Sequence, residues 1–103
     1  MAQFDVYRNT NSATVGDIPY LLDVQTDLLD ILKTCVIVPL EVCGNAKPVQ
    51  TLTPIFDIEN TLVMMSTPEL AGIPARYLGE YVTSLASQRQ EIMAALDLLF
   101  SGI

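Results

Sequence analysis

The sequence predicts a mainly β domain that ends in one α-helix. Up to about residue 82, short segments either alternate polar and apolar residues or run through β-branched ones, and loops rich in Asn, Ser, Gly and Pro separate them, which is typical of strands. From about Ser84 onward, apolar residues recur at intervals of three, four and seven, which is the period of a helix. The chain has 103 residues without a repeat or a linker, so residues 1–103 are predicted to form a single domain.

The first half of the chain is predicted to contain the first strands of the sheet. Residues 3–7 alternate polar and apolar side chains, residues 20–25 form a second strand, and residues 34–40 are continuous and β-branched, as in a strand buried on both faces. Pro39 is expected near an edge or at the end of its strand, because proline cannot donate to a ladder. The segment 8–17 is rich in Asn, Ser and Thr and is predicted to be an exposed loop.

The second half is predicted to add a hairpin and a last strand. Residues 52–58 and 61–65 have strand character and flank Glu59-Asn60, where a tight turn is expected. The segment 68–74, with its prolines and glycine, is predicted to be a loop or a single helical turn. Residues 76–82 form the last candidate strand.

The C-terminal helix is predicted from an apolar stripe that consists of Leu85, Ile92, Met93, Leu96, Leu99 and Phe100. The segment 87–90 fits a capping box, so the helix is expected to begin between Ser84 and Ser87, with Gly102 just past its last turn. Chain termini are usually polar and poorly ordered. A C-terminus that carries Leu, Phe and Ile is therefore predicted to dock in the core, to lie in a subunit interface or to bind a partner.

Composition limits the classes of partner. With 5 basic and 12 acidic residues, the net charge is −7. The cations are Arg8, Lys33, Lys47, Arg76 and Arg89. Because they are scattered, no basic stripe is expected that could bind nucleic acid or an anionic membrane, and a protein or small-molecule partner is favoured. Half of the residues are apolar, a slight excess that hints at an interface, most simply that of a homodimer.

The chain is predicted to be cytoplasmic. Its first residues lack the basic and apolar regions of a signal peptide, and no apolar run approaches the roughly 20 residues of a membrane helix. Cys35 and Cys43 are accordingly expected to be reduced thiols, and a disulfide between them is the alternative.

No catalytic constellation stands out, and the chain is predicted not to be an enzyme. Without histidine the Ser-His-Asp arrangement is excluded in its ordinary form, and neither a zinc-binding pattern nor a phosphate-binding glycine loop is present, so no cofactor is expected. Asp23, Asp27 and Asp30 lie close together in the sequence and could hold a divalent cation. The alternative is a solvated turn after the second strand, in which Asp27 or Asp30 caps a short turn.

Leu28-Leu29 lies between Asp27 and Asp30. In a tight turn, two adjacent leucines cannot both point into one core, so at least one is expected to be exposed and to mark a contact site. The alternative is that both pack beneath the turn.

Several segments, in this order and at nearly constant spacing, resemble the CcdB toxin family of plasmid-type toxin–antitoxin systems. They are Gln3-Phe4-Asp5-Val6-Tyr7, Leu22-Asp23-Val24-Gln25-Thr26-Asp27-Leu28-Leu29-Asp30, Val36-Ile37-Val38-Pro39-Leu40, Thr53-Pro54-Ile55-Phe56-Asp57-Ile58, Met64-Met65-Ser66-Thr67, Ile73-Pro74 and Leu98-Leu99-Phe100-Ser101-Gly102-Ile103. The resemblance covers essentially the whole chain. It implies an SH3-like antiparallel barrel of the CcdB/MazF type, with a small accessory sheet and a C-terminal helix.

The resemblance also implies a homodimer whose two C-termini emerge side by side. In the family, this paired surface binds the dimerisation region of the gyrase A subunit and traps DNA gyrase on cleaved DNA, so the toxin poisons without chemistry of its own. A CcdA-like antitoxin neutralises the toxin with a disordered tail. The complex of the two represses its own operon, and the antitoxin makes the contact with operator DNA.

Matching positions carry over to this chain residue by residue. The gyrase-binding positions implied by the resemblance are Leu28, Leu29, Asp97, Phe100, Ser101, Gly102 and Ile103. The antitoxin is expected to contact the segments 8–17 and 41–51, with the candidate residues Arg8, Asn9, Asn11, Val42 and Asn45. Neither metal-binding nor catalytic residues are implied.

Two positions depart from the family pattern. Well-known members carry Trp where this chain has Ser101, and an amide where it has Asp97. Losing a stacked aromatic anchor costs ~2 kcal/mol or more at an interface hot spot. The first hypothesis is a gyrase poison, and the alternative is a drifted homologue that binds its antitoxin but no longer poisons gyrase. A third hypothesis is an endoribonuclease, because MazF toxins share the fold, but scattered cations and no histidine disfavour it.

Overall fold

The computed structural model describes residues 2–29 and 31–102. The strands are β1 (Asp5–Asn9), β2 (Tyr20–Asp23), β3 (Thr34–Val42), β4 (Ile55–Ile58), β5 (Thr61–Met65), β6 (Ala71–Pro74) and β7 (Leu78–Ser84), and the helix is α1 (Arg89–Ser101). Short 3₁₀ turns span Asp27–Leu29, Thr67–Glu69, Ala75–Tyr77 and Ala86–Gln88. The predicted class, mainly β with one C-terminal helix, is confirmed.

The described strands form one curled antiparallel sheet in the order β4-β5-β3-β2-β1-β7, with β6 paired to β3. β3 is central: β2 pairs along one side, and β6 and then β5 pair along the other. The sheet forms half a barrel, in agreement with the predicted barrel type. The small accessory sheet that the resemblance implies is not a separate sheet in the described part of the chain, because β6 pairs with β3 and so belongs to the same sheet.

Pro39 does not lie at a strand end or an edge, as the sequence predicted. It lies within central β3, opposite Leu21 of β2. On the other side of β3, the pairing with β6 ends at Ile37 and the pairing with β5 begins at Leu40. The Pro39 carbonyl accepts a hydrogen bond there from the N–H of Ser66 (2.9 Å). Proline is tolerated because its missing N–H falls where β3 changes partners and no ladder bond is lost.

Element boundaries in the second half differ from the sequence prediction at several points. The hairpin is confirmed: Glu59 and Asn60 connect β4 and β5 with φ values of 52° and 64°, as a two-residue loop of the I′ type requires. β4 begins at Ile55, three residues later than predicted. The segment expected to be a loop or a single helical turn begins with a 3₁₀ turn over residues 67–69, in agreement with the second alternative, but it continues as an unpredicted strand, β6.

The main core lies between the sheet and α1. Side chains alternate along the strands, so Val38 and Leu40 of β3 face this core, while Cys35 and Ile37 face a smaller cluster on the opposite side with Leu21. The prediction that this strand is buried on both faces is therefore confirmed. From α1, the core receives Ile92, Ala95 and Leu96. None of the helices within residues 2–29 and 31–102 is long and apolar enough to cross a bilayer.

The two ends of α1 match the sequence prediction differently. The expected capping box is wrong, because a 3₁₀ turn over 86–88 precedes the helix and the N-cap, Gln88, makes no side-chain cap hydrogen bond. At the other end, Gly102 adopts φ 70° and donates its N–H to the carbonyl of Leu98 (2.9 Å). This left-handed position suits glycine, and the predicted C-cap is confirmed.

Candidate protein-interaction surface

The loop 26–33 after β2 exposes both residues of the Leu-Leu pair. Leu28 and Leu29 lie in the 3₁₀ turn, and their exposed fractions are 89% and 44%. The N–H of Leu29 donates to the carbonyl of Thr26, and the N–H of Leu28 is directed at the Thr26 hydroxyl. The expectation that at least one leucine is exposed is confirmed, and the alternative that both pack beneath the turn is wrong.

The same loop carries two further exposed apolar side chains that the sequence analysis missed. Ile31 is 92% exposed and Leu32 is 46% exposed. In the sequence, these two apolar residues stand between Asp30 and Lys33 and fit neither a strand nor a helix period, which is the signal that could have identified them. Exposed apolar side chains grouped in this way mark interaction sites, since they contribute little to the protomer's own core.

Helix α1 presents the other part of the surface implied by the family resemblance. Phe100 is 70% exposed although it belongs to the predicted apolar stripe, and Asp97 and Ser101 are also exposed. Gly102 follows as the left-handed C-cap. Ile103, the last residue of the implied surface, lies outside the described residues.

Within one protomer, the loop 26–33 is connected to the beginning of α1 rather than to its end. The backbone N–H of Gln3 donates to Asp27, and the Gln3 side-chain oxygen accepts from Arg89 at 3.4 Å. Phe100 lies eleven residues beyond Arg89, which is roughly 16 Å along a helix that rises about 1.5 Å per residue. The two parts of the implied gyrase-binding surface are therefore not joined within a single protomer by the contacts that the described residues make.

Asp23 and Asp27, the two described members of the acidic cluster, do not come together in a cation site. Asp23 is only 3% exposed, and its Oδ1 accepts from the Cys35 thiol (3.2 Å) and from the N–H of Gln25 (2.9 Å). Burial raises the pKa of the Asp23 carboxyl, while these two hydrogen bonds act in the opposite direction. Asp27 is exposed and accepts from Gln3. In the part of the chain that the structure describes, no three potential metal ligands come together, and Asp30 lies outside that part.

Four candidate antitoxin-binding residues lie in two neighbouring segments, 8–17 and 41–51, which meet at Asp17. They are Asn9, Asn11, Val42 and Asn45. The N–H of Val42 donates to the Asp17 carbonyl (2.8 Å), and the Asn45 amide donates to its carboxylate (3.2 Å). Asn9 donates from its side chain to the Thr14 hydroxyl and to the backbone carbonyl of Ile18, both at 2.9 Å. The structure therefore brings together the two segments that were predicted separately.

Asn9 and Asn11 also line a cleft of about 600 Å³ above the smaller apolar cluster, with Leu21 and Ile37 on its floor. Glu69 contributes the one charged side chain among the described residues that line this cleft. Its volume is within the range of sites that bind small molecules or the anchoring side chains of a peptide.

Arg8, the remaining candidate, belongs to a polar cluster at the hairpin. Its guanidinium pairs with Glu59 (2.9 Å) and more loosely with Glu80 (3.9 Å), and it lies over the ring of Tyr20. The Tyr20 hydroxyl donates to Glu59 (2.6 Å). This hydrogen bond, with that from Arg8, holds the pKa of the Glu59 carboxyl below its ordinary value.

The two cysteines, Cys35 and Cys43, were predicted to be reduced thiols, with a disulfide as the alternative. In the structure no disulfide joins them.

Comparison with known proteins agrees with this architecture. The family model for the CcdB protein matches residues 3–102. Among solved structures, the chain is similar to the Mycobacterium tuberculosis toxin MazF-mt6, with a TM-score of 0.69 and 19% sequence identity over 79% of this chain and 84% of that one. At this identity the likeness concerns the fold. Because the family model matches nearly its full length, the chain belongs to the CcdB toxin family.

Proposed function

We propose that this chain is a toxin that binds the gyrase A subunit and traps DNA gyrase on cleaved DNA. Family membership supports a toxin, and one observation carries the finer proposal. Large apolar side chains are exposed at both sites that the family resemblance assigns to gyrase, Leu28 and Leu29 on the loop and Phe100 on the helix. Nothing in the protomer's own core requires them there, so they are available for a partner.

The proposed binding unit is a homodimer. In one protomer the loop 26–33 is connected to the beginning of α1, whereas Phe100 and Ser101 lie at its end. A two-fold axis that places the C-terminal ends of two helices side by side doubles the apolar area they present and yields one continuous surface. Gyrase is then bound by a site that neither protomer presents alone.

The proposed mechanism is binding rather than catalysis. The fold is shared with a MazF toxin, which makes RNA cleavage the obvious alternative. An RNA-cleaving groove needs basic residues to bind the phosphate backbone. Among the described residues that line the cleft beside Asn9 and Asn11, the charged one is the acidic Glu69, which disfavours binding of a phosphate backbone. We therefore assign this chain no reaction, metal or cofactor.

The proposed neutralising partner is a CcdA-like antitoxin that binds near Arg8, Asn9, Asn11, Val42 and Asn45 in the cytoplasm. Hydrogen bonds from Val42 and Asn45 to Asp17 join the segments 8–17 and 41–51 beside the apolar cleft. This arrangement offers an extended peptide both hydrogen-bonding groups and a place for an apolar side chain. With a net charge of −7, this chain is suited to co-repression only through an antitoxin that contacts operator DNA itself.

A cleavage assay with purified gyrase and supercoiled DNA tests the proposal. The full-length chain should accumulate cleaved DNA, and a variant that lacks residues 101–103 should not, since it retains the folded domain but loses the C-terminal contact. Cleavage by both proteins would place the site elsewhere. RNA cleavage in a parallel assay without gyrase would favour the MazF-like alternative.

A second candidate function follows from Ser101. An exposed serine ends α1 where well-known family members carry tryptophan, and a drifted homologue that binds only its antitoxin would tolerate this loss. The substitution Ser101→Trp should strengthen binding to gyrase by about 2 kcal/mol, or roughly 30-fold in affinity, if the remaining surface is intact. A folded, antitoxin-binding S101W variant that still leaves gyrase unaffected would support the drifted homologue instead.

A further inference from the structure

Gln25 lies between β2 and the loop 26–33, and its side-chain amide makes three hydrogen bonds. Nε2 donates to the carbonyls of Leu29 and Thr34, both at 3.3 Å, and Oε1 accepts from the N–H of Val36 at 3.2 Å. Carbonyl oxygens only accept and a backbone N–H only donates, so these partners fix the orientation of the amide.

These hydrogen bonds connect the loop at its turn to its exit into β3. The Leu29 carbonyl also accepts from the N–H of Leu32 (3.0 Å), so the bond from Gln25 reinforces the turn that carries the exposed leucines. On its other side, Gln25 donates its own N–H to the buried carboxylate of Asp23 (2.9 Å). One residue thus links the buried end of β2, the turn of the loop and the start of β3.

We propose that Gln25 is a positioning residue for gyrase recognition, which holds Leu28 and Leu29 in the conformation that the partner binds. This inference rests on the proposed function. Because both leucines are exposed, their placement depends on the loop backbone rather than on packing. When the loop is flexible, the apparent affinity for gyrase is the intrinsic affinity multiplied by the fraction of molecules whose loop is in the binding conformation. If loss of the amide lowers that fraction to about a tenth, the dissociation constant rises about tenfold.

Two substitutions separate positioning from general stability. Gln25→Met keeps the length of the side chain and removes every polar atom, so gyrase A binding should weaken about tenfold at every pH. Gln25→Glu keeps an acceptor for Val36 but loses both donors at neutral pH. The carboxyl is protonated at pH values below its pKa, which is ordinarily about 4.3, and the protonated form regains one donor. Binding by Q25E should therefore recover partly between about pH 7.5 and about pH 4.5, relative to the wild type and to Q25M at each pH.

A double-mutant cycle with Leu28→Ala completes the test, with affinities for a purified gyrase A fragment measured by calorimetry. If Gln25 acts through the leucines, Q25M should cost about tenfold in the wild-type background and less than about threefold in the L28A background, because coupled residues are not additive. Equal costs in both backgrounds, or no recovery of Q25E at low pH, would overturn the inference. Wild-type protein that does not bind gyrase A refutes the proposed function itself, whereas binding that L28A weakens and Q25M does not refutes only the role of Gln25. If Q25M does not fold, the pH profile of Q25E decides.

Discussion

Truncation of Leu28 to alanine should weaken gyrase binding without affecting the fold. The side chain is 89% exposed, so nearly all of it is available for burial in the partner. The three carbon atoms that the substitution removes are worth about 0.8 kcal/mol each on burial, or about 2.4 kcal/mol in all, which is roughly 50-fold in the dissociation constant. Leu29, at 44% exposure, has about half as much surface to contribute, so Leu29→Ala should cost about 1.2 kcal/mol, or roughly sevenfold.

The assay compares affinities for a gyrase A fragment with thermal unfolding of each variant. Leu62→Ala is the matched control, because Leu62 is 57% exposed on β5, outside the proposed surface, and the same atoms are removed. L28A and L62A should each change the free energy of unfolding by less than about 0.5 kcal/mol, as is usual for exposed positions. A role of Leu28 in the gyrase contact is excluded if L28A binds gyrase as tightly as L62A does, or if L29A binds more weakly than L28A.

Two further predictions concern the scaffold. A Cβ at Gly79 would lie 2.8 Å from the Arg8 carbonyl oxygen, whereas one at Gly72 meets nothing within 4 Å. Gly79→Ala should therefore destabilise the pairing of β1 with β7 by about 1–3 kcal/mol, and Gly72→Ala should stay within about 0.5 kcal/mol in the same denaturant titration; equal effects would contradict this. Burial raises the pKa of Asp23 above its ordinary value of 3.8, so its charged form opposes folding and stability is lost as pH rises through the folded-state pKa. The unfolding free energy of Asp23→Asn minus that of the wild type should increase from about pH 4 to pH 7, and a difference independent of pH would show that Asp23 is not perturbed.

Local sequence signals predicted the fold where chemistry and geometry agree over a few residues. Glu59-Asn60 predicted the hairpin because flanking strand segments and a two-residue spacer suffice to specify that turn. Strand β6 was missed because Gly72 and Pro74 indicate a loop in isolation, and only the exposed side of β3 makes the segment a strand. Pro39 was misplaced for a related reason, since its tolerance depends on a change of partner strands that no local pattern records.

The candidate surface was predicted from sequence only in part. Leu28 and Leu29 were recognisable because aspartates flank a pair that a turn cannot bury. Ile31 was missed because an apolar residue just before a strand is ordinarily taken as part of that strand's buried face. Gln25 was missed because a polar residue at the end of a strand is unremarkable until its bonds to Leu29 and Val36 are known, and those depend on how the loop returns to β3.

The distribution of apolar side chains separates what this chain needs for folding from what it presents to others. The core is complete without the loop 26–33, whose leucines and isoleucine are exposed, and without Phe100, which is 70% exposed at the end of α1, one turn beyond the buried Leu96. Selection for stability alone does not favour large apolar groups at such positions, since they add little to folding and promote aggregation. Hydrogen bonds that keep an exposed apolar loop in one conformation are similarly superfluous for the core. Both features are accounted for by a partner that buries these side chains, and their loss should therefore be seen in binding before it is seen in unfolding.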